Sequence, residues 1–290
     1  MTVDRSWVIA AALAIGFVAC GDSASETATT TEAPRSTCPA EGCEFEEIGD
    51  LIYADDALVN VYRPTQEGPW PVVVFVHGFG GSKSDDRLGW GFAENGVVAY
   101  LPSVSNEPPH LETIQNVACA VRYARATSAD HGGDPDEIVV VGFSSGAAAG
   151  AVAALSGDDH TTGCVKTGVS ALPDAFVGYD GVYDWAHTET PREFHLLEQD
   201  DPETWTAIDP YAHVGENPGL VVRLIHGVDD DLEWFEPRPQ VSEDLYQALL
   251  DAGYDVELTL IEGAGHSSGF AGVPQFDEMV AQTLAIVEPT

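Results

Sequence analysis

At 290 residues, with 44% hydrophobic positions and six tryptophans, the chain can bury one substantial core, since single α/β domains run to about 250 residues. Against 48 Asp and Glu stand only 11 Lys and Arg, a formal charge of −37 that excludes nucleic acid and anionic lipid head groups as partners and disfavours anionic substrates. A neutral or cationic substrate fits better; adaptation to salty surroundings and simple solubility both account for the acidity.

Residues 1–19 stand apart by composition. Arg5 precedes the apolar run WVIAAALAIGFVA (7–19), which suits the hydrophobic stretch of a secretory leader and is too short for a membrane span of about 20 residues. The leader ends in Phe17-Val18-Ala19-Cys20, similar to the bacterial lipobox, in which cleavage falls before an acylated cysteine; Phe17 stands where leucine is usual. The expectation is an exported cell-envelope lipoprotein, touching a bacterial membrane only through lipid on Cys20, with ordinary cleavage as the alternative. Cysteine parity agrees. Of five cysteines, assigning Cys20 to lipid leaves Cys38, Cys43, Cys119 and Cys164, an even set for an oxidising compartment. Three pairings exist; Cys38 and Cys43 enclose Pro-Ala-Glu-Gly, a turn-forming loop that closes at least cost, and Cys119–Cys164 follows by elimination. The cysteines lack the paired C-x-x-C spacing or nearby histidines of a zinc site, so no metal is expected. Residues 21–37 (GDSASETATTTEAPRST) hold too little apolar surface to offset chain ordering. Residues 20–43 therefore read as lipidated Cys20 plus a flexible tether, and 44–290 as one domain.

Within that domain, apolar runs alternate with helical patterns. ALVNVY (57–62), PVVVFVHG (71–78), GVVAYLPS (96–103), EIVVVG (137–142), LVVRLIHG (220–227) and DVELTLIEG (255–263) read as strands. Helical spacing of apolar residues marks 111–129, 147–155, 240–253 and 275–287. The alternation predicts an α/β fold with a mostly parallel sheet, helices on both faces, and antiparallel early strands. After the 147–155 helix, either CVKTGVSAL (164–172) or AFVGYDGVYD (175–184) can supply the next strand, and the second is preferred. Residues 185–219 are polar and proline-bearing, too long for a simple connection, and read as a small cap insertion.

The stretch IVVVGFSSGAAAGAVAAL (138–155) sets Ser144 on a hinge between a β-branched strand and an alanine-rich helix. Gly142 and Gly146 let the two elements approach closely while the serine is held strained and exposed, the G-x-S-x-G pattern; a serine-capped turn is the plain alternative. Such a hydroxyl needs a base, an orienting carboxylate and donors for an oxyanion. Of nine histidines only His266 directly follows a late strand, in the glycine-rich EGAGHSSG (262–269). His77 and His226, at strand ends, read mainly as structural.

HGFGG (77–81), GFSSG (142–146), HGVDDDL (226–232) and GAGH (263–266) resemble, in order and context, the α/β-hydrolase fold, and the chain is similar to esterases of the carboxylesterase and dienelactone-hydrolase-like group over about residues 50–288. The resemblance implies a triad in the order Ser144, Asp230, His266, with the acid four residues after the histidine of the HG pair; Asp229 and Asp231 are its neighbours. It also implies an oxyanion hole from the N–H groups of Ser145 and Phe79, where HGFG replaces the lipase-type HGGG. No cofactor is implied. The expected activity is serine carboxylic-ester hydrolysis through an acyl-enzyme, on a small-molecule or polymeric ester. A serine peptidase of the same fold, or an inactive surface binding protein on a hydrolase scaffold, are the competing readings.

Overall fold

The β-branched runs pair into one eight-stranded sheet in a computed structural model that describes residues 36–84, 86–105, 110–184, 202–230, 238–266 and 274–287. The leader, Cys20, Asp231 and residues 185–201 of the expected cap lie outside the described residues. The strands are β1 (Phe45–Ala54), β2 (Ala57–Pro64), β3 (Trp70–Val76), β4 (Val98–Pro102), β5 (Gly133–Phe143), β6 (Ala175–Tyr179), β7 (Val221–Gly227) and β8 (Asp255–Ile261). The helices are α1 (Asp86–Glu94), α2 (Leu111–Thr127), α3 (Ser145–Ser156), α4 (Pro202–Ile208), α5 (Arg238–Asp251) and α6 (Pro274–Val287).

Sheet order is β1-β2-β4-β3-β5-β6-β7-β8. β2 runs antiparallel to both β1 and β4, and every other pairing is parallel, so the early strands are antiparallel as the sequence predicts. The strand after α3 is the preferred one, β6, whereas Cys164 makes a single bridge to Ala54. This is the α/β-hydrolase arrangement.

Strand periodicity splits the core in two. Val72, Val74 and Val76 face one side and belong to one buried cluster with Ile114 and Val117 of α2, Val152 of α3 and Leu245 of α5. Val73 and Phe75 face the other and belong to a second buried cluster with Leu88 and Phe92 of α1 and Met279 of α6. Each such side chain, fully buried, stabilises by about 1.5–3 kcal/mol relative to exposure, so neither face of the central strands tolerates a polar register slip. Of the described part of the expected cap, residues 202–219, α4 sends Trp205 and Ile208 into the first of these clusters. Disulfides join Cys38 to Cys43 and Cys119 on α2 to Cys164. Among the described residues no helix is long and apolar enough to cross a membrane.

The parallel strands β3, β5, β6 and β7 all end on one side of the sheet. The loops that leave there carry the sequence-predicted site residues.

Candidate active site

At the end of β5 the chain must turn from strand to helix without a spare residue. Phe143 is still paired to Tyr179 of β6, and the Ser144 N–H donates to the Tyr179 carbonyl at 2.9 Å. One residue later α3 begins, with the N–H groups of Ala147 and Ala148 donating to the Ser144 carbonyl at 3.0 and 3.3 Å. The reversal falls on Ser144, at φ 55° and ψ −123°, a conformation that costs a non-glycine residue on the order of 1–3 kcal/mol. The flanking glycines are required by close approach: a Cβ on Gly142 would lie 2.6 Å from the Ala147 Cα, and one on Gly146 would lie 2.3 Å from the His77 carbonyl oxygen.

His266 arrives on the loop after β8. That loop is fastened to the one after β7 by the Asp229 N–H donating to the Ala264 carbonyl at 2.8 Å, and Val228 N–H to the Ile261 carbonyl at 3.0 Å. The two loops thus bring Asp230 to the imidazole. His266 Nδ1 lies 2.8 Å from Asp230 Oδ2, and Nε2 lies 3.0 Å from Ser144 Oγ. A carboxylate can only accept, so Nδ1 carries the proton and Nε2 is left to accept from the serine hydroxyl. The Phe143 ring lies beside the imidazole, centroids 5.1 Å apart. Of the two described neighbouring aspartates, Asp230 holds the histidine and Asp229 contributes backbone.

The Asp230 carboxylate, 1% exposed, has a second partner, the buried His226, whose Nε2 lies 3.1 Å from the same Oδ2. Asp180, at the end of β6, is fully buried and accepts from the Gly227 N–H at 2.8 Å. Burial pushes its carboxyl above the usual range, with nearby Asp230 adding to the rise while His226, the Gly227 N–H and His266 oppose it.

Ser145 opens α3, so helix geometry leaves its N–H without an intrahelical partner. Phe79, 62% exposed, lies in a turn closed by the Gly81 N–H on the Gly78 carbonyl at 3.0 Å. His77 tightens that turn: Nδ1 donates to the same Gly78 carbonyl at 3.0 Å, while Nε2 accepts from the Val104 N–H at 3.4 Å. Because the peptide is planar, fixing the Gly78 carbonyl aims the Phe79 N–H the opposite way. Both expected oxyanion donors therefore sit on fixed backbone.

Asp180, Asp230 and His266 also place three potential metal-ligand atoms within 4.8 Å of one another. Both ring nitrogens of His266 are already engaged, one by carboxylate and one by hydroxyl, an arrangement that suits proton transfer better than cation binding.

Compared with known protein families, residues 59–249 match BD-FAE. The chain belongs to the BD-FAE family. It is 30% identical to esterase LipQ of Mycobacterium tuberculosis over 190 residues, 61% of this chain and 43% of LipQ. The chain spans about half the length of the curated relatives it matches. Among solved structures, a truncated carbohydrate esterase from gut microbiota superposes with a TM-score of 0.69 at 20% identity, covering 87% of this chain and 99% of that one. Esterase 2 of Thermogutta terrifontis, phosphoramylated by tabun, gives 0.66 at 21% identity, covering 87% and 98%. At these identities the likeness establishes the fold.

In this BD-FAE chain the structure brings Ser144, Asp230 and His266 together; Ser145 follows the serine directly, and Gly78, the residue before Phe79, packs so closely on Ser144 that a Cβ there would lie 3.0 Å from the Ser144 Cβ. Sequence reasoning missed His226 and Asp180 as neighbours of the acid. The signal for His226 was its interval of four residues from Asp230 across a turn; Asp180 had none, because its proximity comes from the pairing of β6 with β7.

Proposed function

We propose that the chain is a serine carboxylic-ester hydrolase. The observation that carries this reading is the continuous hydrogen-bonded line from a strained elbow serine to a buried carboxylate, Ser144 Oγ to His266 Nε2 at 3.0 Å and His266 Nδ1 to Asp230 Oδ2 at 2.8 Å. Ser144 Oγ attacks the ester carbonyl as His266 Nε2 takes its proton, and the Ser145 and Phe79 N–H groups receive the oxyanion. Collapse expels the alcohol, which leaves with the proton from Nε2. Water, deprotonated by the same nitrogen, then releases the acid and restores the serine. Asp230 keeps the imidazole in the required tautomer and stabilises its charged form. The BD-FAE relationship, the esterase name of LipQ and the phosphoramylated structural neighbour all support this chemistry. The excess of 48 acidic over 11 basic residues favours neutral esters over anionic ones.

Four proteins test it with a graded series of nitrophenyl esters, aryl-amide peptides and a fluorophosphonate probe. The native chain should turn over esters and take the label. Ser144→Ala should do neither while remaining folded. Asp230→Asn should lower turnover by about 10⁴, the cost of the comparable change in a serine protease, because the amide no longer enforces the tautomer. Asp229→Asn, which keeps its backbone bond to Ala264, should be mild. Amide cleavage in preference to ester cleavage would move the assignment to a peptidase, and absence of labelling to a binding protein.

We also propose export and attachment through lipid on Cys20, supported by the leader composition and by the even cysteine set that remains. Cys20→Ser should shift the protein from the membrane fraction to a soluble or unprocessed pool. A native chain that is fully soluble, with an unmodified amino terminus, rejects the anchor.

A further inference from the structure

We propose that His226, backed by Ser242, is a positioning residue for the triad acid: its Nε2–H and the His266 Nδ1–H fix the one oxygen, Asp230 Oδ2, between them. The inference rests on the triad reading above. His226 is 1% exposed and Ser242 is fully buried. Their side chains meet at 2.7 Å, His226 Nδ1 to Ser242 Oγ, and the opposite ring nitrogen lies 3.1 Å from Asp230 Oδ2.

The hydrogen-bond inventory fixes the direction of this line. The carboxylate only accepts, so Nε2 carries a proton toward Asp230 whatever the charge on the ring. Nδ1 is left to face a hydroxyl, which can donate to it or accept from it. Ser242 belongs to α5 and His226 to β7, so the sheet and the helix outside it together hold the ring plane. The ring plane in turn holds the carboxylate. This matters because Asp230 is itself 1% exposed, and a buried carboxylate oxygen that loses one of its donors keeps an unsatisfied lone pair and is held less firmly toward His266. Among the described residues Asp180, at the end of β6, also faces the cluster: its one hydrogen bond there is accepted from the Gly227 N–H, and it acts on His226, Asp230 and His266 through charge. Asp230 thus lies in the middle of a five-member chain, Ser242, His226, Asp230, His266, Ser144, spanning α5, the ends of β7 and β8, and the elbow.

The test compares His226→Leu, His226→Gln and Ser242→Ala. Leucine removes the donor; the glutamine amide nitrogen reaches about where Nε2 sits and restores it; Ser242→Ala frees the ring to take the wrong tautomer. Two readouts are taken: kcat and KM on nitrophenyl acetate, and the downfield proton resonance of the His266 Nδ1–H, which needs no turnover. In His226→Leu, kcat should fall about 10- to 100-fold at nearly unchanged KM, the equivalent of one hydrogen bond to a charged group. Its downfield resonance should broaden into solvent exchange. His226→Gln should recover most of both, and Ser242→Ala should fall between.

Native-like kcat and resonance in His226→Leu overturn the proposal, as does a loss of melting temperature with neither readout moved. If the leucine variant does not fold, unchanged resonance and kcat in Ser242→Ala overturn it instead. A native chain without ester turnover would sink the hydrolase reading alone, and the resonance would still decide the role of His226.

Discussion

Asp180 shows how one side chain beside the proposed site taxes the fold. It is fully buried at φ 43°, one oxygen bonded to the Gly227 N–H and the other, among the described residues, making no hydrogen bond. Burial raises its carboxyl above the ordinary value of 3.8, so the folded chain holds this proton more tightly than the unfolded chain does. A carboxyl raised on folding contributes fully to stability below its unfolded value. That contribution is lost as pH rises through the folded value, and at neutral pH the charge opposes folding. Asp180→Asn keeps an acceptor for Gly227 and carries no charge. It should raise the melting temperature at pH 7.5, and the gain should shrink toward pH 4; a gain that grows in acid would show that the charge is not what the fold resists. Residues of this kind are the illegible part of the site. Ser144 and His266 could be read because each directly follows a recognisable strand beside glycine, and Asp230 through its place in HGVDDDL. Asp180 matters through what the sheet sets next to it, and neighbours across strands leave no mark on local pattern; His226 left only its four-residue interval from Asp230.

At the scale of elements the same division appears. β1 (FEEIGDLIYA) was not read as a strand because it is an edge strand with acidic residues and only its last two positions buried, so no clean alternation survives. α1 was missed for a different reason: Gly89 and Gly91 in its interior each cost about 1 kcal/mol of helix propensity relative to alanine. Packing overrides that preference, since a Cβ at Gly89 would lie 2.2 Å from the Tyr62 ring and one at Gly91 would lie 2.3 Å from Phe276. α2 is fastened by side chains as well as by packing. Arg122, 5% exposed, donates to the carbonyls of Gly157, Asp158, His160 and Val169, and Arg125 donates to the Leu172 carbonyl at 2.8 Å. Cys119 ties the same helix to Cys164, closing a separation of 45 residues, against five for Cys38–Cys43. Loop-closure entropy acts on the unfolded chain, where the arginine contacts no longer exist, so the long bridge should matter more. Replacing Cys119 and Cys164 by serine should cost about 4 kcal/mol in urea unfolding, and replacing Cys38 and Cys43 about 2. Equal costs would mean that native contacts, and not chain entropy, set the value of these bridges.

For the whole molecule the governing quantity is the charge of −37. With 11 basic side chains against 48 acidic ones, one-to-one pairing leaves most carboxylates without a cation. The pairs that form, such as Lys83 with Asp50, Arg125 with Asp174 and Arg223 with Asp255, use carboxylates that are 75%, 47% and 65% exposed. Pairs of this kind are worth about 0–1 kcal/mol each and cannot offset repulsion summed over the surface. That repulsion acts on the compact state more than on the expanded one, and it is long-ranged, so it should yield to salt: the screening length falls from about 10 Å at 0.1 M to about 3 Å at 1 M. Two consequences follow. Melting temperature at pH 7.5 should climb with sodium chloride between these concentrations, most steeply at the low end, where screening changes fastest. Turnover should respond according to substrate charge: kcat/KM for an ester bearing a carboxylate should rise with salt as the barrier to encounter is screened, while that for a neutral ester of the same acyl length should change little. Measuring both esters on one salt series separates steering from stability, because a general gain in folded fraction would lift the two together. A melting temperature that stays flat or falls, with both esters equally indifferent to salt, would mean that the acidic side chains are spaced widely enough to act as isolated charges, and that the surface contributes solubility alone.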